Sequence, residues 1–131
     1  EFDNWNKLAN AFGFEFNKDS KNKVLNDQYE QGRVTVPVGN PIFKNARDLY
    51  MKEISTLKIT GKNVQTILTL NNEPIVAVAK HGKGTVFALG DPWLYNEYVD
   101  GRKMNGLFQN QKAANELAVW LLVQAKAGRI R

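Results

Sequence analysis

The stretch from Pro74 to Gly90 constrains this chain more than any other. "PIVAVAKH" and "GTVFALG" are nearly continuous apolar runs of strand length, joined by His81-Gly82-Lys83-Gly84, whose glycines suit a tight hairpin. A strand with one wet face alternates polar and apolar residues. These runs do not, so the sheet they enter has to be covered on both sides. The rest of the chain offers the covers. "DNWNKLANAFGF" reads as a helix capped by Asp3, with Trp5, Leu8, Ala9 and Phe12 at helical spacing and Gly13 as its stop. A second helix is read from Leu107 to Ala127, with an apolar face of Leu107, Ala114, Leu117, Ala118, Leu121 and Ala125.

Between the helices, "FEF" at Phe14 to Phe16 and "RVTVPV" ending at Pro37 read as strands, as do "KEISTLKIT" (Lys52 to Thr60) and "VQTILTL" (Val64 to Leu70). Asn17 to Gly32 is polar and turn-rich, a surface loop. In "GNPIFKNARDLY", Asn40 as a cap and Pro41 at the first helical position predict a short helix. Helices at both ends with apolar strands between them predict an α/β fold: an open sheet covered by helices on both faces, with Val86 to Leu89 as a central strand. At 131 residues the chain fits one domain. Such folds begin on a buried strand, and this chain begins on a surface-type helix. The expectation is therefore a single α/β domain, residues 1–131, that lacks its first strand and derives from a larger polypeptide.

Composition removes several function classes. There is no cysteine, which excludes disulfides and thiolate chemistry and leaves the compartment open. No apolar run approaches the ~18 residues of a membrane span, and the opening Glu1-Phe2-Asp3-Asn4 is no targeting segment, so no membrane partner is expected. The net charge of +5 is scattered over separate lysines and arginines rather than gathered in a stripe, which argues against a nucleic-acid partner. His81 is the lone histidine, and Ser20 and Ser55, the only serines, lack elbow glycines, so a nucleophilic triad is not expected. One histidine and dispersed acids offer no metal-ligand spacing. Gly82-x-Gly84 precedes a strand, the wrong order for a dinucleotide fingerprint, and no cofactor is expected.

The chemistry-bearing segment is "TVFALGDPWLYNEYVDGRK". A strand leaving its sheet at Gly90 needs close backbone approach, which glycine allows. Asp91 then has two readings, a cap for the following turn with Pro92 at its first position, or a ligand contact at a strand's carboxyl end. Trp93, Tyr95 and Tyr98 stand beside Asn96, Glu97, Asp100 and Arg102. Flat rings next to hydrogen-bonding tips are what a sugar requires, and the same rings can equally be core plugs. The candidate ligand-binding set is Asp91, Trp93, Tyr95, Asn96, Glu97, Tyr98 and Arg102. Asp91 and Glu97 are also the carboxylate pair that glycoside hydrolysis would require, a chemistry decided by their separation in space.

With "FQNQKAANELAVWLL" after it and "NWNKLANAFGFEFN" at the front, this segment resembles the C-terminal accessory domain of bacterial glycoside hydrolases of the unsaturated rhamnogalacturonyl hydrolase type. The resemblance implies a flavodoxin-related, class I glutamine amidotransferase-like fold, an upstream catalytic domain in the same polypeptide, and a role in degrading pectin. It implies no catalysis here, because the amidotransferase-like fold uses a cysteine nucleophile and this chain has none. A periplasmic or extracellular location would suit such a parent. The leading expectation is a non-catalytic module that orients a rhamnogalacturonan oligosaccharide for its catalytic neighbour. The alternatives are a self-sufficient hydrolase using Asp91 and Glu97, and a purely structural domain.

Overall fold

The computed structural model describes residues 2–92, 94–96, 99 and 106–130, the side chains of Arg129 and Ile130 excepted. At its centre is a three-stranded meander of β5 (Val64–Leu70), β6 (Glu73–His81) and β7 (Gly84–Leu89), with β6 in the middle. Two further pairs stand apart from it: β1 (Phe14–Phe16) with β4 (Leu57–Ile59), and β2 (Arg33–Thr35) with β3 (Asp48–Tyr50). All of these ladders are antiparallel. Helix α1 (Phe2–Ala11) precedes them and α2 (Asn110–Ile130) follows.

Local chemistry explains the meander. Asn71 and Asn72 both take positive φ, 50° and 68°, in the two-residue turn between β5 and β6. That geometry matches the twist of a hairpin, and asparagine tolerates it well. Gly82, at φ 56°, does the same between β6 and β7. The two faces of β6 then differ in size. Val76 and Val78 pair with Leu89 and Phe87 on a face of large side chains, which joins a core containing Phe43, Leu49, Met51, Ile54 and, from α2, Ala113 and Leu117. Ala77 and Ala79 pair with Ala88 and Val86 on the opposite face. Against those alanines sits a second cluster with Ala9 of α1, Phe14 of β1 and Leu57 of β4.

The expected α/β fold is overturned. Among the described residues no parallel pairing occurs, and the molecule is β-rich, with small antiparallel sheets and one long C-terminal helix rather than an open flavodoxin- or amidotransferase-like sheet. The reason lies in the connections. Two-residue links can join only antiparallel neighbours, since a parallel return needs a crossover of a dozen or more residues. Apolarity on both faces of β6 reflects a meander covered twice, by two different layers. Strand β7, read as central, lies at an edge of its sheet.

Two smaller expectations also fail. The helix after Asn40 does not form. The Asn40 side chain accepts hydrogen bonds from the amides of Ile42 and Phe43, while the Arg47 guanidinium donates to the carbonyls of Phe43, Lys44 and Ala46, acceptors that a helix would have needed. The strand from Lys52 to Thr60 shrinks to β4 because Glu53 sits at φ 54°, a left-handed conformation that breaks an extended run; ahead of β4 there is only a bridge between Ile54 and Lys21.

Candidate functional site

The corner after β7 is built on Gly90. Its amide donates to the carbonyl of Ile75 at 3.0 Å, and its carbonyl accepts the amide of Ser55 at 2.9 Å. A Cβ here would land on the Ser55 carbonyl oxygen, so glycine is required by the close approach of two backbones. Asp91 follows at 3% exposure, and Leu94 is fully buried. Asp91 is thus enclosed in the corner rather than displayed on a surface. Tyr95 is 53% exposed, although desolvation pushes its phenol up to about 12, and Asn96 is half-buried. Trp93, Glu97, Tyr98 and Arg102 lie outside the described residues. Of the sequence-derived set, the buried Asp91 and the exposed Tyr95 therefore stand in different environments.

Beside this corner opens a groove of about 560 Å³ that the sequence reading did not find. Its aromatic wall comes from Phe2 and Trp5 on α1 and Phe16 on β1, and its floor from Leu89, Gly90 and Pro92. Glu53 and Ser55 supply its polar edge. Trp5 is 65% exposed and Leu8 57%. Of the stripe expected to bury α1, Ala9 is buried and Phe12 packs half-buried against the same cluster, while Trp5 and Leu8 stand in water. The signal that could have revealed the groove was the large aromatic surface on so short a helix.

The second notable surface is on α2. Its first turns are firmly held: the Asn110 side chain accepts the Tyr50 amide at 2.8 Å and donates to the Tyr50 carbonyl at 2.9 Å, so it caps the edge of β3 as a further strand would. Glu116 accepts the amides of Asn45 and Ala46 at 2.8 and 3.3 Å, which pins the 42–46 segment to the helix. Ala113, Ala114 and Leu117 are buried. Beyond them "AVWLLV" is apolar around the whole helix circumference, yet Val119, Leu122 and Val123 are 62%, 64% and 56% exposed. The expected apolar face is only partly the buried one. Ala118 and Ala125 are exposed, Leu121 is 38% exposed, and Leu107 precedes the helix at 58% exposure. A groove of about 370 Å³ runs between Val119, Trp120 and Val123 on one side and Ile42, Lys44 and Asn45 on the other.

No group of three or more metal-ligating side chains occurs among the described residues, and no helix among them is long and apolar enough to cross a membrane.

No family model and no curated protein sequence matches the chain. Among solved structures, one described as the "mmIFT52 N-terminal domain" superposes with a TM-score of 0.63 at 22% sequence identity, covering 90% of this chain and 57% of that one. The two share a fold. The chain spans just over half the length of that IFT52 structure, and at this identity the likeness speaks for the fold alone. It nonetheless corrects the family resemblance drawn from the sequence. The structural relationship is to an IFT52 domain, not to a glycoside hydrolase accessory domain or an amidotransferase-like one, and nothing supports pectin degradation, a rhamnogalacturonan ligand or an upstream hydrolase domain as partner. "GDPWLYNEY" carried that resemblance, and its opening residues are explained by the backbone contact at Gly90.

Proposed function

We propose that this chain is a single non-catalytic docking domain whose working surface is the second half of α2. The observation that carries the reading is an apolar helix segment with three large side chains more than half exposed, in a helix whose preceding turns are anchored by Asn110, Glu116 and Leu117. A helix that is apolar all round is one that is buried in its working state, and exposed patches of this kind mark interfaces. Charge describes the partner. Lys112, Val119 and Lys126 fall in one row along the helix, and Lys44 lines the adjoining groove. Glu116, the acid beside them, is engaged by backbone amides. The surface is thus apolar with a basic rim, which suits a protein partner presenting an apolar strip with acidic edges.

Photo-crosslinkers placed at Val119 and Val123, with Gln111 as the control position, would identify the partner by mass spectrometry. The purified pair would then be measured by calorimetry with and without Val119→Asp. The expected result is a saturable complex that the substitution weakens at least tenfold. A complex indifferent to Val119→Asp, or crosslinks no more specific than those from Gln111, would sink the reading.

A further inference from the structure

The groove beside the Gly90 corner has a chemistry of its own, on elements separate from the α2 surface. Three aromatic side chains, Phe2, Trp5 and Phe16, share it with one carboxylate, Glu53. That carboxylate is unusual in this molecule. Asp3 pairs with Lys18 at 3.0 Å, Glu73 with Lys21 at 2.9 Å, Asp48 and Glu30 with Arg33 at 2.7 Å, and Glu116 takes two amides. Glu53 makes neither an ion pair nor a side-chain hydrogen bond among the described residues. Two of the lysines on the Asn17–Gly32 segment are engaged elsewhere: Glu73 and then Asp19 hold the Lys21 ammonium above its usual range, and Lys18 is bound to Asp3. Glu53 is also held where it is by its neighbours. Its amide donates to the Asn22 carbonyl at 3.2 Å, and the paired amides of Ile54 and Lys21 lock the next residue.

Aromatic faces attract cations through the ring quadrupole, and an adjacent carboxylate adds a directional acceptor. We propose that this groove is a recognition site for an arginine side chain on an extended segment of a protein partner. Arginine fits better than lysine because its guanidinium is planar, weakly hydrated and able both to stack on the Trp5 indole and to meet Glu53 with two parallel N–H donors. Leu89 and Pro92 give the aliphatic stem an apolar bed. The site does not depend on the α2 reading, and the two can fail separately.

The test uses the whole chain and three probes: acetyl-Gly-Gly-Arg-Gly-Gly-amide, the same peptide with citrulline in place of arginine, and acetyl-arginine-amide. Citrulline keeps the shape and loses the charge. Binding is read by nuclear magnetic resonance at the Trp5 indole N–H and by calorimetry. The arginine peptide is expected to shift the Trp5 signal and to bind at least about fivefold more tightly than the citrulline peptide, with Glu53→Gln and Trp5→Ala each removing about that factor. Val119→Asp is expected to change nothing at this site. Equal binding of the arginine and citrulline peptides, or an unmoved Trp5 signal, would overturn the proposal. Glu53→Gln without effect would also overturn it. Acetyl-arginine-amide binding as tightly as the peptide would overturn its assignment to a partner segment. A fold check by circular dichroism accompanies each variant, and Trp5, being mostly exposed, provides a variant that leaves the core intact.

Discussion

The two stretches of α2 reverse the usual relation between composition and burial. From Asn110 to Leu117 the helix is fastened to β3, to the 42–46 segment and to the large-residue face of the meander. From Ala118 to Val123 it is more apolar still, yet most of that surface meets water. Hydrophobicity in the first half is used by this fold. In the second half Trp120 packs against the core, while Val119, Leu122 and Val123 are more than half exposed.

Substitutions along the helix can break or sharpen that contrast. Leu117→Ala empties a site that is 1% exposed and is expected to cost about 2–5 kcal/mol, read as a lowered midpoint in urea. Asn110→Ala strands the buried amide and carbonyl of Tyr50 and is expected to cost about 1–3 kcal/mol by the same measurement. Gln124→Ala removes an exposed acceptor of the Lys80 ammonium, 2.8 Å away, and is expected to shift stability by no more than about 0.5 kcal/mol. Leu122→Ala is expected to leave the midpoint unchanged within about 0.5 kcal/mol, because that side chain is already 64% in water. A loss at Leu122 as large as that at Leu117 would erase the distinction between the halves.

Much of the local structure was legible from the sequence, and the pairing of its parts was not. Gly82 and Gly84 mark the β6–β7 turn, Gly13 stops α1 at φ 91°, and Gly90 announces a close backbone contact, because each acts through its own missing side chain. Apolar spacing is a weaker guide. It says which residues avoid water without saying what covers them, so Trp5 and Leu8 read as core and stand exposed. Apolarity on both faces of β6 was taken for an open sheet covered by helices on both sides, although the Asn71-Asn72 turn, like the expected Gly82 hairpin, makes an antiparallel meander covered by two different layers. Asn40 and Pro41 announced a helix start, and the competing reach of Arg47 lies outside any local rule. The candidate site suffered most. Phe2, Trp5, Phe16 and Glu53 come from three separate segments, and only the tertiary fold brings them to one groove.

The alanine face of β6 also sets how the molecule breathes. Ala77, Ala79 and Ala88 offer shallow relief, and α1 contributes only Ala9 as a fully buried residue to the layer resting on them. A layer with so little interlocking opens at lower free energy than the meander beneath it. Amide protons of α1 should therefore exchange ahead of those of β6, as one cooperative unit. Trp5 is carried on that unit, so whatever occupies the corner groove would slow its opening, and exchange rates in α1 become a gauge of occupancy.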